Sequence, residues 1–189
     1  MSSIRVLICR VFFGVAVLVL SACSTSTSKL DTLTQAEPDT TRQRAMRRLS
    51  LASAYFEQNQ NDVAQQEVRA ALQIDSQFAD AYSLLGLIHQ RENAPTLAQQ
   101  SFEHAIQLAS ASPVSASELG AIQHNYGWFL CQQNRFTEAQ TQFQRAVSQT
   151  GYRQIDKTRN AIGICQVRAD LEDKARKAKI NNLIDQAEE

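Results

Sequence analysis

GLIHQRENAPTLAQQSFEHA, residues 86–105, is the stretch from which the fold can be read. Small Gly86 is followed three residues on by His89, and after a polar interval holding Pro95 come Ala98, Phe102 and Ala105. The last three fall at i, i+4 and i+7, one face of a helix. The same order stands 34 residues earlier as Ala52, Tyr55, Ala64, Val68 and Ala71. It stands again 41 residues later as Gly127, Leu130, Ala139, Phe143 and Ala146, with its internal spacing unchanged. Seven extra residues, around 110–117, therefore separate the second unit from the third. In each unit a small residue lets two helices approach, and a larger side chain on the same face fills the space beside it. Each unit reads as a helical hairpin.

A helical hairpin recurring every 34 residues has the period of a tetratricopeptide array. The expected fold class is an all-α tetratricopeptide-repeat superhelix of three full repeats and a partial fourth. The units run over 45–78, 79–119 with the insert, 120–153 and 154–189, in a repeat domain spanning 42–189. In the fourth unit Ala161, Ile162, Ile164, Cys165 and Val167 support a first helix. Lys177 stands where the other units place Val68, Phe102 and Phe143, so a second helix is poorly supported. Residues 174–189 read as a capping helix with a polar outer face, as a solenoid end requires. Asp62, Thr96 and Thr137 share one repeat position, where N-cap acceptors are expected. Ser115 and Glu118 have capping-box spacing. With only six Gly and three Pro in 189 residues, a turn-rich β fold has little material.

The N-terminal region has a different character. Arg5 and Arg10 precede the unbroken apolar run Val11 to Leu20, which ends in Leu20-Ser21-Ala22-Cys23. That is the layout of an export signal over 1–22, and the run is about half of the ~20 residues a spanning helix needs. This ending looks like a lipoprotein signal-peptidase box, which makes the Cys23 thiol the expected lipidation site, carrying acyl chains such as palmitate. Ser24, rather than Asp, after the lipidated cysteine points to outer-membrane delivery, with the mature chain facing the periplasm. Half of residues 24–41 are Ser or Thr, so 23–41 reads as a lipidated flexible tether. The leader holds two Arg and no acid, so a chain processed at Cys23 has two more acids than bases. A near-neutral body gives no reason to expect nucleic acid or anionic lipid as ligand.

Catalytic and metal signals are missing from the sequence. His89, His104 and His124 show no ligand spacing, and no phosphate loop, nucleophile elbow or paired-carboxylate motif occurs. No enzyme, metal, cofactor or small-molecule substrate is expected. Cys131 and Cys165 lie 34 residues apart, at equivalent positions on adjacent first helices, and in an oxidising compartment are expected to form a disulfide. Inward-facing positions of the first helices give Met46, Leu49, Ser53 and Phe56, then Asp80, Ser83, Leu87 and Gln90, then His124, Trp128 and Cys131. Leu49, Phe56, Leu87, His124 and Trp128 are the candidate partner-binding residues of a groove suited to a helix or strand. The single Trp reads either as the groove's anchor or as packing against the next unit. Leu49 and Ser53 stand where carboxylate-clamping repeats carry Lys and Asn, so that activity is not expected.

The run Asn125-Tyr126-Gly127-Trp128-Phe129-Leu130-Cys131 resembles a signature of the type IV pilus biogenesis lipoproteins, the PilF/PilW family. Ala161-Ile162-Gly163-Ile164-Cys165 resembles that family's following helix, cysteine included. The resemblance spans Cys23 to about Gln166. It implies a non-catalytic outer-membrane pilotin that binds the secretin or other pilus assembly proteins, or stabilises pili. Two other roles for such a lipoprotein are an adaptor for peptidoglycan hydrolases and a subunit of outer-membrane protein assembly. Members usually carry about six repeats, whereas this chain stops in the fourth.

Overall fold

The computed structural model describes residues 40–111 and 116–187 of the compact unit Thr40–Glu189. The expected leader over 1–22, Cys23, the expected tether as far as Asp39, and Ser115 lie outside the described residues. Among the described residues seven helices follow one another: α1 (Thr41–Glu57), α2 (Asn61–Ile74), α3 (Ala79–Arg91), α4 (Pro95–Ala111), α5 (Ala116–Gln132), α6 (Phe136–Ser148) and α7 (Ile155–Ala187). The hairpins α1–α2, α3–α4 and α5–α6 stack in order, and α7 closes the row. The architecture is an all-α tetratricopeptide superhelix. Thr41, read from sequence as the end of the tether, is the first residue of α1, and Thr40 stands just before it. Thr40 caps that helix, its hydroxyl accepting from the Gln43 N–H while the Gln43 side chain accepts from the Thr40 N–H.

The period exists because of what each small residue faces. A Cβ built on Gly86 would lie 2.9 Å from the Phe102 ring, and one on Gly127 only 2.8 Å from the Phe143 ring. Phe102, Phe129 and Phe143 are fully buried, each contributing about 1.5–3 kcal/mol from area removed from water. Around them Ala98, Ala139, Tyr126 and Leu130 complete one core cluster, while Ala52, Ala64, Val68, Phe78 and Ile88 form another. Leu87 touches both clusters, so successive hairpins share a seam.

The turns inside the hairpins are built differently from the sequence expectation. Asp62, Thr96 and Thr137 are second residues of their helices, not N-caps, and the positions before α2 and α6 have no side-chain cap. Order comes instead from Asn59, Asn93 and Asn134, each with φ near +60°. Beyond each, an N–H reaches back five residues: Gln60 to Tyr55 O at 2.9 Å, Ala94 to His89 O at 2.9 Å, and Arg135 to Leu130 O at 2.9 Å. This closes each first helix with a left-handed Asn, a geometry that short polar side chain tolerates.

In the fourth unit the corresponding residue is Arg168, and the turn is missing. No glycine, proline or asparagine interrupts Ile164 to Ile180, so α7 runs unbroken to Ala187. The tail is therefore a continuation of the first helix, not the separate capping helix expected over 174–189. Cys131 on α5 and Cys165 on α7 are joined by a disulfide with Cα atoms 5.7 Å apart, within the normal range for such a bridge. The bridge ties the last helix to the stack. In the chain-entropy description a 34-residue separation is worth about 3–4 kcal/mol. Cys131→Ser should therefore lower the melting temperature of the oxidised protein by about 10 °C, and reductant should shift the unsubstituted chain alike. Superimposable circular-dichroism melts would contradict this.

Candidate functional site

The first helices α1, α3, α5 and α7 stand side by side, and each neighbouring pair is tied by polar contacts. Between α1 and α3, the Arg91 guanidinium lies 3.5 Å from the Phe56 ring centroid and donates to the Phe56 carbonyl. Between α3 and α5, Asn125 Nδ2 donates to Ser83 Oγ at 3.2 Å, and the Asp80 N–H donates to Glu118 Oε1 at 3.2 Å. Glu118 thus reaches across to α3. Between α5 and α7, His124 Nδ1 lies 2.9 Å from Thr158 Oγ1, and the Cys131–Cys165 disulfide joins the same two helices seven residues further along each.

Two recesses open along this face. Leu49 and Leu87 line one of about 270 Å³ with Ser53, Asp80, Ser83 and Asn125. Trp128 and His124 line the second, about 620 Å³, with Asn125, Lys157, Asn160, Ala161 and Ile164. Asn125 borders both and joins them into one strip. Trp128 is half-buried: it packs on the core cluster and also lines the recess. Phe56 lines neither recess, because its ring is packed on the core and covered by Arg91. His124 is buried, its ring 5.9 Å from that of Phe143, and shows the recess only an edge. Lys157, Asn160 and Ile164 were not anticipated. A signal existed in the apolar Ile164, which is 52% exposed whereas its repeat equivalent Leu130 is buried.

The run 125–131 gives nearly every residue its own task. Asn125 bridges to α3, and Tyr126 stacks on Phe102 at 5.6 Å while its hydroxyl donates to Glu103 at 3.1 Å. Gly127 admits Phe143, Trp128 faces the strip, Phe129 and Leu130 are core, and Cys131 forms the bridge. Among the described residues no three His, Cys, Asp or Glu side chains gather as a metal set, and no helix is long and apolar enough to cross a membrane.

Two titrating groups sit on this face with opposite tendencies. Burial pushes the Asp80 carboxyl from 3.8 up to about 7, aided by Glu118 and opposed by Arg42. Burial, with Lys157 adding to it, pushes the His124 imidazole from 6.5 down to about 4. Folded Asp80 keeps a proton that the unfolded chain has lost, so its contribution is full in acid and fades as pH rises to about 7. Unfolded His124 takes a proton that the folded chain refuses, so its contribution is full above 6.5 and fades as pH falls to about 4. The two slopes oppose each other in one window. Asp80→Asn should leave a melting temperature that rises with pH across that window. His124→Gln should leave one that falls. Thermal melts in which both variants keep the parent profile would contradict these assignments.

A TPR-repeat family model matches residues 52–93, and a tetratricopeptide-repeat model matches residues 79–112. An uncharacterized protein of Haemophilus influenzae is 30% identical over 156 residues, covering 82% of this chain and 78% of its own. The type IV pilus assembly protein PilF of Pseudomonas aeruginosa is 28% identical over 116 residues, 61% of this chain but only 43% of that protein. A solved structure from a functional characterization of P. aeruginosa PilF matches with a TM-score of 0.61 and 26% identity. That match covers 69% of this chain and 56% of the PilF chain.

Proposed function

Because this chain belongs to the same tetratricopeptide-repeat family as the H. influenzae protein and is related to PilF, we propose that it is a non-catalytic outer-membrane lipoprotein assisting type IV pilus assembly. In this reading Cys23 carries the lipid, residues 24–39 give reach from the membrane into the periplasm, and the repeats bind an envelope partner such as the secretin. The observation that carries the binding role is the joined strip of recesses between Leu49 and Ile164, with Trp128 half open at its wider part. A large aromatic over an apolar recess, with the polar Asn125, Lys157 and Asn160 at its edge, suits a helix or strand that buries one side chain and fixes its polar neighbours. The aligned part covers 43% of the length of PilF.

The recess side of Trp128 separates recognition from folding. Truncating an anchoring aromatic often removes about 2 kcal/mol or more, roughly thirtyfold in affinity. Trp128→Ala should then lower secretin multimers or surface pili while the protein still melts cooperatively, whereas Cys23→Ala should release it from the membrane fraction. A cooperatively folded Trp128→Ala protein that supports normal multimers and pili would refute the strip as the working surface.

A further inference from the structure

Helix α7 repeats one of its own faces. Between α6 and α7 lies an open recess of about 230 Å³, lined on α6 by Phe136 and Phe143 and on α7 by Ile162, Cys165, Gln166 and Ala169. Eighteen residues are about five helical turns, so the residues eighteen further along α7 point the same way. They are Ile180, Leu183, Ile184 and Ala187, all apolar and all exposed. Ile180 is 49%, Leu183 57% and Ile184 51% exposed. The tail thus continues toward solvent the face that lines the recess, although no described element covers it there. A lone helical segment of this length is marginal in water.

The charges between the two patches are segregated. Asp170, Glu172 and Asp173 come first, and Lys174, Arg176, Lys177 and Lys179 follow. Place a second α7 antiparallel, with the two-fold axis between Lys174 and Ala175. The acids then lie level with the second copy's bases, Glu172 with Lys177, Asp173 with Arg176 and Asp170 with Lys179, each pairing occurring twice by symmetry. The same register sets Ala169 opposite the second copy's Ile180, Gln166 opposite its Leu183, and Cys165 opposite its Ile184. One alignment therefore satisfies both patterns, whereas a parallel pair would set like charges together. Within one chain Asp173 already meets Lys177 at 2.7 Å and Arg176 at 3.5 Å. Those pairs are exposed, and exchanging them for intermolecular ones changes little.

We propose that this face of α7 is a docking surface for a second copy of the chain. Two copies pair antiparallel, each inserting Ile180, Leu183 and Ile184 at the α6–α7 recess of the other. The surface lies on the opposite side of α7 from Lys157, Asn160 and Ile164, so a dimer leaves the partner strip open. Sedimentation equilibrium of the full chain in density-matched detergent tests it. The chain should be dimeric, and Leu183→Asp with Ile184→Asp should weaken the dimer at least tenfold without lowering the melting temperature. Reversing the acids alone (Asp170→Lys, Glu172→Lys, Asp173→Lys) or the bases alone (Arg176→Glu, Lys177→Glu, Lys179→Glu) should give monomers, and an equal mixture of the two should restore association. A parent chain that stays monomeric to about 100 µM, where even weak pairing is visible, overturns the proposal. So does a charge-reversed mixture that stays monomeric.

Discussion

The close approach of a helix backbone to an aromatic ring, at Gly86 against Phe102 and Gly127 against Phe143, governs everything built on it. Two helices can lie this near only where one of them has no Cβ, and the ring then fills the whole gap. The contact fixes the separation within each hairpin. Because the Phe102 ring also touches Tyr126 and Phe129, it fixes the distance from the second hairpin to the third as well. Ala52 and Val68 repeat the arrangement at smaller scale in the first unit. Dense interiors tolerate little change in volume, so the spacing of the first helices, and hence the shape of their shared face, follows from these few side chains.

That face is polar where it holds the stack together and apolar where it is open. Asn125, Glu118 and His124 each spend their hydrogen-bonding groups on a neighbouring helix. Leu49, Leu87 and Trp128 are left to line the recesses. The polar groups of this strip are largely satisfied within the chain, which leaves apolar area open with Lys157 and Asn160 at one edge. Helix α7 contributes to two surfaces at once: one side completes the strip, and the other lies along α6 and runs on exposed.

Much of this was legible in the residues because a repeat states the same contact three times. Small-then-large spacing identified the hairpins, and the 34-residue separation of Cys131 and Cys165 placed the bridge. The turns were misread because Thr and Asp at a helix start suggest capping, while the left-handed Asn59, Asn93 and Asn134 do the ordering. Those asparagines keep the repeat phase and could have been found by it. Their replacement by Arg168 also explains why α7 does not turn back. Phe56 was placed in the groove by phase alone, which cannot register that Arg91 covers its ring; His124 does line the recess, with its ring nitrogen bonded to Thr158.

The glycine contact can be separated from the ordinary behaviour of glycine in a helix by making one substitution at two places. Gly163, on α7, has nothing within 4 Å of an added Cβ, whereas at Gly127 the Phe143 ring lies 2.8 Å away. Replacing a helical glycine by alanine in open space contributes up to about 1 kcal/mol, while overfilling a packed core costs about 1–3 kcal/mol. Thermal melting of Gly163→Ala and Gly127→Ala therefore tests the account most directly. The account predicts a raised melting temperature for Gly163→Ala and a lowered one for Gly127→Ala, the latter partly recovered by Phe143→Leu. Equal rises in both would show that the close approach does not hold the stack together, contradicting the central claim.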